Sequence, residues 1–327
     1  YLGVVAIAAT IGTAHVLYQR TSHNLLIALV AGLTLAVMPA SVMIGRAIYR
    51  ANWVTPATAL FLWAYLWGIR THRPVYFVFA GIFAAIGTMM YLGGLFLIPA
   101  ALFVIGLTLF TDRTANMRRN IRFFAGAFLT AMLPWLYLYF TIPNWLSVRV
   151  SNLDNGSIMG TLTNPDLLLP RIGQVARFLI SYIQTNPLYS PDNAGLLNVP
   201  LAVLFVTGVG LSIYGLFKRR WLSLMPLGTM IILLLAPLLT VTPTEAIRYT
   251  GAFVPIALLT GMGVSIISLS RRLMYGLIVI AMLAMSFYTW TLIQDHFDDW
   301  QYGEAQYFIM IKDQADFLLE TETPVYM

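Results

Sequence analysis

The sequence predicts an all-α polytopic membrane protein of about ten transmembrane helices, with outer loops and the start of an outer soluble domain. Three observations carry this expectation. The 327 residues are 59% hydrophobic and only 10% charged, where ordinary soluble domains carry about a quarter charged residues. Mean hydropathy is +0.78. Charge-free runs recur at 24–45, 197–217, 221–244, 249–270 and 273–294, each of 21 to 24 residues, and roughly 20 suffice to cross the hydrocarbon core as a helix. There is no cysteine, which excludes a disulfide, a thiolate metal site and a cysteine nucleophile.

Taken in order, ten spans are expected at 1–18, 24–45, 53–69, 74–90, 92–111, 123–142, 197–217, 221–243, 249–270 and 273–293. The first opens at Tyr1, already inside an apolar run and with no signal peptide, so the chain reads as a piece of a longer protein. Arg20 separates it from the second span, and Arg70 and Arg73 separate the third from the fourth. Residues 74–111 carry no charge and are divided at Tyr91-Leu92-Gly93-Gly94, a single long buried helix or a re-entrant segment being the alternative. The last four spans are divided by Lys218-Arg219-Arg220, by Glu245 with Arg248, and by Arg271-Arg272. Residues 1–293 are thus expected to form the transmembrane domain, and 294–327 the start of an extracytoplasmic soluble domain.

The connecting segments alternate in charge. One side receives twelve of the basic residues, from Arg20 to Arg272, against the single acid Asp112, while the other receives seven basic residues and all twelve remaining acids. The bias marks the first side as cytoplasmic and puts the C-terminal tail outside. The outer loop of about 143–196 holds an amphipathic stretch, 166–183. Its apolar face (Leu169, Ile172, Val175, Phe178, Leu179) either lies in the interface plane, with Arg171 and Arg177 meeting headgroups, or packs on the outer rim of the bundle. Trp135, Tyr137, Tyr139 and Trp145 read as an interfacial belt, and His15, His23 and His72 as structural residues at span ends.

Two outer loops place arginines at the very ends of spans: Arg46 and Arg50 in one, Arg248 beside Tyr249 in the other. Arg46 and Arg50 are four apart and share a face where the turn is helical. No acid lies between them, and a planar donor fork suits phosphate. Snorkelling to lipid headgroups is the competing reading of these arginines. Glu245 is placed to pair with Arg248 at i, i+3. Asp295, His296, Asp298 and Asp299 can be drawn as a metal cluster, but such spacing is common in acidic linkers and no metal site is assigned. No phosphate-binding loop, hydrolase elbow, zincin motif or nucleic-acid patch is present.

Four stretches together resemble the polytopic glycosyltransferases of the C-type (GT-C) fold, in the group of protein O-mannosyltransferases and lipid A aminoarabinose transferases. They are Met38-Pro39 with Arg46, Arg50 and Pro56; the glycine-patterned 80–91 with Pro99; Ile247-Arg248-Tyr249 with Pro255; and 297–300 through Pro324-Val325-Tyr326. The resemblance implies transfer of a sugar from a polyprenyl-phosphate carrier to a protein or glycolipid acceptor on the outer face of a bacterial plasma membrane. Carried over by position, Arg248, Tyr249, Arg46 and Arg50 would hold the lipid phosphate, and Tyr91 and Glu245 would line the cavity. The chain departs from the group in two respects. The acidic first outer loop would precede Tyr1, and the place of a second acid reads Ala51-Asn52-Trp53. The expected catalytic acid therefore lies upstream, and no divalent metal or other cofactor is expected beside the lipid-linked donor. The competing readings are a non-catalytic membrane subunit on the same scaffold, inside a larger complex, and a transporter.

Overall fold

The computed structural model describes residues 2–19, 21, 23–46, 50–141, 164–180, 195–239, 246–266, 276, 279–281, 283–292 and 294. All regular structure among them is helical. In chain order the helices are α1 (Leu2–Leu17), α2 (Asn24–Val37), α3 (Pro39–Arg46), α4 (Val54–Thr71), α5 (Pro74–Met90), α6 (Leu97–Thr111), α7 (Ala115–Thr141), α8 (Pro165–Ile180), α9 (Val199–Phe217), α10 (Leu224–Leu233), α11 (Leu235–Leu238) and α12 (Phe253–Gly263). Short 3-10 turns at Arg50–Trp53, Leu92–Phe96, Trp221–Ser223, Ala246–Tyr249 and Val264–Ile266 join them. Residues 283–292 are helical as well.

Among the described residues, four segments are long and apolar enough to cross a membrane: Leu92–Thr111, Ala115–Thr141, Val199–Phe217 and Trp221–Leu238. Leu2–Leu17, Asn24–Val37, Pro74–Met90 and Phe253–Ile266 are apolar but shorter. The expected ten continuous spans are therefore not all found as such, and proline accounts for one of the departures. Pro39 cannot continue α2, and the residue before it, Met38, is extended at φ −66° and ψ 114°. Expected span 24–45 is accordingly two helices. Pro237 lacks the N–H that the Leu233 carbonyl would accept, which interrupts the segment Trp221–Leu238 at Leu234 without dividing it as a span. The division at Tyr91 is a real break: Tyr91 is extended at φ −149° and ψ 153°, and a 3-10 turn starts the return.

The break after α2 strands the Val37 carbonyl. The Thr289 hydroxyl donates to it at 2.7 Å, which fixes the last helical residues against α2. Thr289→Val is expected to leave that buried acceptor unmet and to cost about 1–3 kcal/mol, read as a lower apparent melting temperature in detergent.

Side by side, α7, α5, α4, α1, α2, α12 and α9 pack as a curved row, and α10 with α6 closes it. Phe61, Tyr65, Phe77 and Phe124 hold one end of the row, with Tyr65 edge-on to Phe77 at 5.3 Å and to Phe124 at 5.9 Å. Polar side chains in the core are mainly threonines. Thr10, Thr34, Thr58, Thr88, Thr108 and Thr260 each donate to the carbonyl four residues back. A hydroxyl satisfied inside its own helix suits a surrounding that offers no water.

Candidate functional site

The elements carrying the sequence-expected arginines meet at one end of the bundle. α3, which ends at Arg46, packs against the 3-10 turn Ala246–Tyr249, and the turn that opens at Arg50 packs on α4 and α5. One hydrogen bond ties the two arginine-bearing loops together. The Thr55 hydroxyl, two residues beyond the Arg50–Trp53 turn, donates to the Thr250 carbonyl at 2.8 Å, and the bond is buried. Thr250 in turn donates its own hydroxyl to the Ile247 carbonyl at 3.0 Å, holding the Arg248 turn tight. Arg248 is half-buried, with its Nη1 atom out of solvent. For Arg46 and Arg50 the placement of the backbone is what the structure gives.

Tyr249 is fully buried, its ring 4.7 Å from that of Phe178 on α8 and tilted by 43°. It follows Arg248 in the same 3-10 turn and is enclosed by packed apolar side chains. Tyr91 is half-buried and packs against the same apolar cluster, which also contains Met38, Ile44, Ala51, Val54, Ile247 and Tyr249. Its ring lies over Gly93, where an added Cβ would stand 3.2 Å from Tyr91 and 3.5 Å from the Cβ of Ala236. Thus Tyr91 and Tyr249 share one cluster, while Glu245, the aspartates of 295–299, His296 and the expected soluble domain beyond residue 294 lie outside the described residues.

The amphipathic helix α8 packs on the rim of the bundle through its C-terminal half, while Leu169 and Ile172 of the expected apolar face are exposed. Val175, Phe178 and Leu179 are buried, and the N–H groups of Leu196 and Leu197 donate to the Phe178 and Leu179 carbonyls at 2.9 and 3.1 Å. Arg171 donates to the Leu238 carbonyl at the C-terminal end of α11, at 3.5 Å, where a cation also meets the negative end of a helix. Sequence reasoning assigned Arg171 to headgroups or to the rim. It missed that this arginine stands beside the element that packs on the Arg248 turn. Phe178→Ala is expected to cost about 3–5 kcal/mol and to loosen α8. Faster limited proteolysis near α8, with the remaining helices still resistant, is the measurement that checks it.

The assembled end is a basic, half-buried rim over an apolar floor. Arg248 comes from a 3-10 turn and Arg171 from helix α8, far apart in sequence, and the backbones of Arg46 and Arg50 lie on neighbouring elements. Such a rim can hold an anion whose remaining body is apolar.

No protein-family model, curated protein or solved structure matches this chain. Function is therefore argued from the site and the residue pattern.

Proposed function

We propose that the chain is the membrane domain of a glycosyltransferase that moves a sugar from a polyprenyl-phosphate carrier to a protein or glycolipid acceptor on the extracytoplasmic face of a bacterial plasma membrane. In this reading the chain crosses ten times in the C-type arrangement, and residues 294–327 open an outer soluble domain. The observation that carries the reading is the convergence of the Arg46, Arg50 and Arg248 elements, locked by the Thr55–Thr250 hydrogen bond.

The chemistry follows from charge. The bond between the anomeric carbon and the phosphate oxygen breaks, and negative charge grows on the leaving phosphate. A guanidinium already in place stabilises that charge without reorganisation. The new bond joins the anomeric carbon to an acceptor oxygen, whose proton passes to a carboxylate. Tyr249 and Phe178 hold the Arg248 turn in register, and Tyr91 borders the same cluster.

The test is transfer by the full-length gene product in proteoliposomes, supplied with polyprenyl phosphates bearing labelled hexoses or pentoses and a membrane-extract acceptor. Label is expected in the acceptor together with released polyprenyl phosphate. No release across the donor panel overturns the proposal. A second reading, a non-catalytic subunit on the same scaffold, is favoured by one observation: where the resembled group carries a second outer-loop acid, this chain reads Ala51-Asn52-Trp53. A stoichiometric co-purifying partner, with no transfer, would establish that reading instead.

A further inference from the structure

A second feature lies at the opposite end of the bundle, between α5 and α7. A groove of about 590 Å³ is lined by Val78 and Ile82 of α5 and by Arg122, Phe123, Gly126 and Thr130 on the outer side of α7. Its walls are otherwise apolar. Arg122, Phe123 and Gly126 are exposed, so the groove opens sideways, away from the bundle. It lies beside the long α5–α7 contact, where the exposed face of α7 turns away from α5. At Gly81 an added Cβ would run into the Phe124 carbonyl, whereas at Gly126 it would meet nothing within 4 Å.

The charge around its mouth is of one sign. Arg113, Arg118, Arg119 and Arg122 cluster at the start of α7, and the only acid nearby, Asp112, uses its Oδ1 to accept the Thr114 N–H at 3.0 Å. The first turn of α7 contains no acidic residue. Arginines at a helix N-terminus oppose the helix dipole, and Arg118 and Arg122 repel each other at i, i+4. An anion at this mouth relieves both. From Arg122 to Ala131 the groove runs about 14 Å along the helix axis. That is close to half of a hydrocarbon core about 30 Å thick.

From these features we infer that the α5–α7 groove is a binding site for an anionic phospholipid, with one acyl chain along Val78, Ile82 and Gly126 and the headgroup phosphate at Arg122. Basic pockets between transmembrane helices recognise anionic headgroups in this way. The site is separate from the Arg248 end and does not depend on the function proposed for it. An inorganic anion alone lacks the chain that the apolar walls require.

The test is native mass spectrometry of the full-length protein, extracted from nanodiscs containing equal amounts of phosphatidylglycerol and phosphatidylcholine of matched chains. Wild type is expected to retain one phosphatidylglycerol in preference to phosphatidylcholine. Arg122→Gln is expected to cut that preference about fivefold, the worth of one arginine near an anionic surface. Gly126→Leu fills the groove and is expected to abolish retention of either lipid. The helix should tolerate it, because the position is open and leucine favours the helix over glycine. Equal retention of the two lipids by wild type, an unchanged preference in Arg122→Gln, or unchanged retention in folded Gly126→Leu would each overturn the inference. So would full displacement of the lipid by inorganic phosphate.

Discussion

Arg248→Ala is expected to lower the rate of transfer from a polyprenyl-phosphate sugar by at least about a hundredfold, the scale on which one preorganised charge-stabilising donor acts. The side chain is half-buried on a turn held by Thr250 and backed by Tyr249 and Phe178, so its position is set before any donor arrives. Arg248→Lys keeps the charge and loses the fork, and an intermediate rate is expected. Because the loss belongs to the transition state, it should fall on kcat more than on KM. The measurement pairs initial rates with melting curves in detergent, so that a folding defect is seen separately. A folded Arg248→Ala protein working at the wild-type rate ends the phosphate role.

Gly208→Leu is expected to separate α9 from α12 and to be the most damaging single change to the fold. A Cβ at Gly208 would run into the Leu259 carbonyl, and one at Gly263 into the Leu204 carbonyl, so the two helices approach through reciprocal glycines. Backbone cannot swing aside as a side-chain end can, and small residues are what let helix backbones come this close. Overpacking typically costs about 1–3 kcal/mol, and a backbone obstacle puts this site at the upper end or beyond. Gly210, two residues on, has nothing within 4 Å of its built Cβ, so Gly210→Ala should be neutral or slightly stabilising. A drop in melting temperature of several degrees for Gly208→Leu, with no drop for Gly210→Ala, is the expected pattern. Equal behaviour of the two variants would mean that the contact does not hold the helices.

The helical, apolar character of the chain was legible from run length, because run length is what a membrane constrains. The break at Tyr91 was expected from the neighbouring glycines within a charge-free stretch of 38 residues, and the extended Tyr91 decides it against a single long helix. The breaks at Met38 and Leu234 were not. Pro39 and Pro237 sit inside runs that look continuous by hydropathy, and proline near a span end is compatible with either a kink or a stop. For α8 the sequence offered two roles with the same amphipathic pattern. The choice came from Phe178 finding Tyr249 and from Arg171 finding the end of α11.

By itself the sequence determined that the chain is built of apolar helices and where its span-end arginines fall along it. Only the tertiary structure decided that the loops of Arg50 and Arg248 adjoin, through a hydrogen bond between residues 195 apart. The physical reason is that apolar burial has no direction. A greasy helix carries no mark of its neighbour, and the neighbour is chosen where two surfaces fit, as at Gly208 and Leu259, a property of the pair that neither strip of sequence contains.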